Sequence, residues 1–160
     1  MNLNTFIPLT KKTVQATLSP RDSLGTIVFT NGCFDILHPG HVQLLNDAKA
    51  LGDTLVVGIN SDASVRTLKG PSRPIHSEHH RAYILANLKA VDYVVVFEDQ
   101  TPISLIKTIQ PHIHVKGGDY QASDLPETSV IESYGGQVKI VPFVKGHSTT
   151  SIIDSIIKST

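Results

Sequence analysis

Short apolar runs alternating with helical patterns predict an α/β fold, a single Rossmann-like domain whose five-stranded parallel sheet carries helices on both faces. Two observations support this. The runs lack polar alternation, as expected for strands buried on both faces, and each pair of runs is separated by a helix-forming segment that supplies a right-handed crossover.

Residues 1–24, with Lys11-Lys12 and Ser19-Pro20, carry weak patterning and read as an N-terminal extension before a domain over residues 25–160. Ile27-Val28-Phe29 is the first strand, closed by Asn31-Gly32. Val42, Leu44, Leu45, Ala48 and Leu51 recur at helical spacing, and Gly52 ends that helix. Leu55-Val56-Val57-Gly58-Ile59 is the second strand. Ser77 caps a helix running to Leu88, and Tyr93–Phe97 is the third strand. Thr101-Pro102 opens a helix that Pro111 stops. A fourth strand covers 112–115, and a short helix closes at Gly135-Gly136. The fifth strand covers 138–143, and the last helix, 148–158, has Ile152, Ile153, Ile156 and Ile157 as its apolar stripe.

The bulk numbers narrow the function. At 160 residues the chain fits one domain that buries about 70% of its unfolded surface. Fourteen basic residues balance 14 acidic ones, so no global field attracts nucleic acid or an anionic membrane, and a phosphate site must be built locally. Cys33 is the single cysteine, which excludes an internal disulfide and suits a reducing cytoplasm. Residues 1–20 lack a signal-peptide pattern, and no apolar run approaches a membrane span.

A parallel sheet binds ligands beyond the carboxyl ends of its strands. After the first strand stands Thr30-Asn31-Gly32-Cys33-Phe34-Asp35-Ile36-Leu37-His38-Pro39-Gly40-His41. Its spacing matches neither a Walker A loop nor a dinucleotide fingerprint. His38 and His41 bracket Pro-Gly at a helix start, where two imidazoles join free amides and a positive partial charge to receive a polyphosphate. Lys69 and Arg73, in a Gly/Pro-rich loop, read either as solvated charges or as a phosphate clamp. Gly117-Gly118 reads as a turn or as a close approach to a base or ribose. Ser148-Thr149-Thr150 caps a helix and offers spare donors. The histidines His76, His79, His80, His112 and His114 supply no convincing zinc set; Asp35, His38 and His41 as metal ligands are a better rival that metal analysis separates, and no resident metal site is expected.

Gly32-Cys33-Phe34-Asp35 followed by His38-Pro39-Gly40-His41 resembles the signature of the cytidylyltransferase-like nucleotidylyltransferases. Asn60-Ser61-Asp62, Leu68-Lys69-Gly70 with Arg73-Pro74, Lys116-Gly117-Gly118-Asp119-Tyr120 and Ser148-Thr149-Thr150 are similar to one branch, the D-glycero-β-D-manno-heptose 1-phosphate adenylyltransferase domains. The resemblance implies catalysis by His38, His41 and Lys69. It implies nucleotide binding by Cys33, Phe34, His38, Gly40, His41, Lys116, Gly117, Gly118, Asp119, Tyr120, Ser148, Thr149 and Thr150. Asp35, Asn60, Asp62, Arg73 and Arg81 are expected at the second substrate. For Asp35, contact with substrate hydroxyls, a metal-holding role and simple ordering of the loop all stay open. Mg2+ with ATP, a sugar phosphate and a homodimer complete the expectation, with no nucleic acid or membrane partner.

The chain departs from the family in two places. His79-His80-Arg81 stands where relatives commonly have Glu-Gln-Arg, so only Arg81 transfers. The segment Pro142-Phe143-Val144-Lys145-Gly146-His147 lacks the arginine that glycerol-phosphate cytidylyltransferases carry before Ser-Thr-Thr, which argues against glycerol 3-phosphate. The alternatives are a CTP-dependent enzyme for another phosphorylated alcohol and a non-catalytic nucleotide-binding module.

Overall fold

A computed structural model describes residues 2–119, 121–142, 146 and 148–159. The three central strands form from the β-branched runs read above: β2 (Ile27–Gly32), β3 (Thr54–Asn60) and β4 (Tyr93–Phe97). To them are added β1 (Leu9–Thr10), β5 (Ile113–Gly117) and β6 (Gln137–Val141), giving one six-stranded sheet in the order β1-β4-β3-β2-β5-β6. Every pairing is parallel. The sixth strand is β1, from the segment read as an extension, where Leu9 and Thr10 pair with Val95 and Val96.

Helices cover both faces. On one, Leu45 and Ala48 of α2 (Pro39–Lys49) and Ala82 and Leu85 of α4 (Glu78–Ala86) pack on Val28, Val57, Ile59 and Val115. On the other, Val14 of α1 (Lys11–Thr17), Leu105, Ile106 and Ile109 of α5 (Ile103–Ile109) and Ile131 of α6 (Thr128–Glu132) pack on Ile27, Phe29, Val56 and Val95. Gly58 is required by this packing, since a Cβ there would sit 2.8 Å from the Phe29 ring. Two further helices flank the site: α3 (Asp62–Lys69), capped by Ser61, and α7 (Thr149–Lys158), capped by Ser148. The stripe of α7 is only partly covered, with Ile156 and Ile157 60% and 68% exposed. Among the described residues no helix is long and apolar enough to cross a membrane.

From β2 the chain moves outward through β3 to β4, then returns to place β5 on the other side of β2. The connections leaving β2 and β5 therefore diverge, opening a crevice at their carboxyl ends.

Candidate active site

The chain after β2 turns sharply at Phe34, whose φ of +48° lies in the left-handed region. That turn buries the Phe34 ring in the core, 5.1 Å from the ring of His41. Phe34 thus supports the histidine from below, its ring turned into the core. His38 occupies the N-cap position of α2, with Pro39 opening the first turn and Gly40 beside it. The rings of His38 and His41 stack with centroids 3.7 Å apart at 23°. Burial, and then the charge of His38, push His41 down to about 4, against a hydrogen bond at the Ile36 backbone. Its Nδ1 makes no hydrogen bond among the described residues. A neutral His41 imidazole stacked on His38 at a helix N-terminus offers a ring N–H donor together with main-chain amides.

The N-terminus of α7 comes to the same place. Thr149 donates from Oγ1 to the Ile36 carbonyl at 3.4 Å, and Ser148 forms a reciprocal capping box with Ser151. Thr150 lies exposed on that first turn. Lys69 is exposed at the last position of α3, a correction to the loop expected there. Its charge reaches the Cys33 thiol ahead of those of Arg81 and Arg73, although burial wins and raises that thiol. Cys33 is consequently a half-buried thiol, not a thiolate.

Across the crevice, Gly117 ends β5 beside Val141, and Gly118, at a φ of +141°, donates its N–H to the Val141 carbonyl at 2.9 Å. Asp119 is exposed, while Tyr120 lies outside the described residues. Lys116 does not stand alone: its Nζ is 3.4 Å from Glu127, whose carboxyl group is buried beside His114. Glu127 was not legible in the sequence, where nothing marks it as different from a surface acid.

The expected second-substrate residues engage one another. Asp35 binds Arg73 and the amides of Ile75 and His76, and its side chain is 1% exposed, which favours the loop-ordering role. Arg81, with a side chain 0% exposed, pairs with Asp62, whose own amide donates to Glu78. Asn60 donates from Nδ2 to Ser64 Oγ at 3.0 Å beneath this network. Among the described residues no group of three or more His, Cys, Asp or Glu side chains is placed to hold a metal ion.

The cytidylyltransferase-like family profile matches residues 29–156, from β2 through most of α7. The chain belongs to the cytidylyltransferase-like family. Among curated members it is 58% identical over 132 residues to the Bifunctional protein HldE of Syntrophotalea carbinolica, and 55% identical over 133 residues to that of Geobacter sulfurreducens. These alignments cover 82% and 83% of this chain and 27% of each relative, so the chain spans about a quarter of the length of the curated relatives it matches. A crystal structure of the lipopolysaccharide core biosynthesis protein from Thermoplasma volcanium aligns with TM-score 0.63 and 31% identity, covering 77% of this chain and 99% of that one. Pantoate-beta-alanine ligase from Francisella tularensis, crystallised with an ATP analogue and beta-alanine, shares the fold with TM-score 0.62 at 17% identity, over 96% of this chain and 79% of its own.

Proposed function

We propose that the chain is an adenylyltransferase that joins AMP from ATP to a sugar 1-phosphate, D-glycero-β-D-manno-heptose 1-phosphate, releasing pyrophosphate and an ADP-sugar. The stacked His38–His41 pair carries this reading, set at the N-terminus of α2 in the crevice where the sheet order reverses. The choice of heptose rests on the likeness to the HldE relatives.

A sugar phosphate has a second pKa near 6 and is already dianionic at neutral pH, so its oxygen attacks the α-phosphorus without a general base. The P–O bond to the β-phosphate breaks, and pyrophosphate leaves with the electron pair. The protein's work is to hold two anions together and to place donors where charge develops. His38, His41 and the first amides of α2 face the phosphates. Lys69 approaches from α3, and the Ser148–Thr150 turn closes the other side. Gly117 and Gly118 leave room for the nucleoside. Magnesium enters as part of the ATP substrate, neutralising its phosphate oxygens and keeping most of its water.

The test is pyrophosphate release with ATP or CTP and heptose 1-phosphate. Turnover with ATP is expected, and His41→Ala should lower kcat about 10²–10³-fold, the effect of removing one preorganised donor. Turnover with CTP alone, or an unimpaired His41→Ala enzyme, would overturn the assignment. The reading also has the protein act in the cytoplasm as a homodimer, and sedimentation of the full chain would check the dimer.

A further inference from the structure

Asp35 and Arg81 lie on different elements, yet each reaches across to the segment that carries the other. Asp35 Oδ2 accepts from Arg73 Nε at 2.6 Å, both carboxylate oxygens accept from the Ile75 amide at 2.8 and 2.9 Å, and Oδ1 also accepts from the His76 amide at 2.9 Å. In the opposite direction, Arg81 donates from Nε to the His76 carbonyl at 3.0 Å and from Nη1 to the Cys33 carbonyl at 2.6 Å. Its Nη2 pairs with Asp62 at 2.8 Å, at the start of α3. His76 is thereby gripped from both sides, its N–H by Asp35 and its carbonyl by Arg81.

We propose that Asp35 and Arg81 form a crossed latch that fixes residues 70–76, and with them the Lys69 end of α3, against the histidine loop, acting as positioning residues that touch neither substrate. The consequence for turnover rests on the adenylyltransferase reading; the latch itself does not.

Three observations favour a latch over a ligand site. Both side chains are removed from solvent, 1% exposed for Asp35 and 0% for Arg81. Every polar group on each is turned toward protein, so a ligand would have to displace hydrogen bonds already made. Finally, a buried carboxylate and a buried guanidinium each carry a large desolvation cost, tolerable only when the geometry is fully satisfied, and that satisfaction selects one loop position. Burial alone would raise Asp35, but the His76 and Ile75 amides and Arg73 outweigh it and hold the carboxyl below its ordinary range.

The experiment compares the full-length protein with Asp35→Asn and, as a second variant should the first not fold, Arg81→Lys. Amide hydrogen exchange at Ile75 and His76 should speed up at least about 10-fold in either variant; unchanged protection there overturns the latch. With activity as the readout, the latch predicts a kcat about 10–100-fold lower, the usual effect of a small misplacement. The magnesium concentration giving half-maximal rate should not move. A shifted magnesium midpoint, or a raised KM for the sugar phosphate at unchanged kcat, would make Asp35 a ligand and sink the proposal. A wild-type protein that turns over no nucleotide would remove the adenylyltransferase reading while leaving the exchange result to decide the latch.

Discussion

His41 is held in a state that its free side chain would not favour. Burial above Phe34 and the ring of His38 at 3.7 Å both penalise the imidazolium, so the ring is neutral at pH 7 with a pKa of about 4. Under the proposed adenylyl transfer, a neutral donor suits pyrophosphate release, because it grips the anion less firmly than a fixed positive charge. A bound triphosphate supplies the missing counter-charge, so the pKa should climb on binding. NMR titration of the free protein should therefore give His41 a midpoint near 4, moving upward with a non-hydrolysable ATP analogue. A free-state midpoint near 6.5 would mean that the ring is solvated and the pocket is not built as described. The placement of the histidines at one helix start was legible because it follows from residue type and local spacing. The roles of Asp35 and Arg81 were not, because the partners of Asp35 lie 38 to 41 residues away and those of Arg81 include a carbonyl 48 residues back. Residue type shows that a carboxylate is present, and only the fold shows what consumes it.

The strands and helices with strong apolar patterns formed where the sequence placed them, Tyr93–Phe97 among them. The elements that escaped reading are those whose order comes from their neighbours. Strand β1 has two residues, and the helix Lys11–Thr17 offers Val14 as its one buried side chain, too little for a period to show. They are ordered by pairing with β4 and by contacts to α5, where Lys11 also donates to Ser104 Oγ. Helix α3 had its signals, Ser61 as cap and Gly70 as stop, but the Gly/Pro-rich stretch that follows masked them. If the N-terminal elements are part of the core, Val14→Ala should destabilise the whole domain. Losing two buried methyl groups from a 0% exposed position costs about 2 kcal/mol, equivalent to a fall in Tm of about 4–8 °C in a chain of this size. A variant melting at the wild-type temperature would show that residues 9–17 are only loosely seated.

Across the whole molecule, two buried histidines and one buried carboxylate among the described residues weaken the fold on the acid side. His114 has 0% exposure, sits edge-on to Phe29 at 5.4 Å, and has no hydrogen-bond partner among the described residues for either ring nitrogen. Its Nε2 is 3.8 Å from Glu127, beyond hydrogen-bond reach. Burial, with Lys116 adding to it, pushes its pKa down to about 3. His114 and His41 are both neutral when folded but take up protons near 6.5 once unfolded. Between those values the unfolded chain binds more protons, so stability is fully present above about 6.5 and falls as pH drops toward 4 and 3. Asp35 acts in the same direction at lower pH, because its lowered carboxyl stabilises the fold above its ordinary 3.8 and loses that contribution below it. Each histidine contributes a slope of up to about 1.4 kcal/mol per pH unit. Thermal melting at constant ionic strength should show Tm declining between pH 6.5 and 5. His114→Leu, which fills the site without a titratable group, should flatten that decline by about half while Lys116 remains to pair with Glu127. An equally steep decline in the variant would mean that His114 is already protonated in the folded state, with Glu127 as its counter-ion.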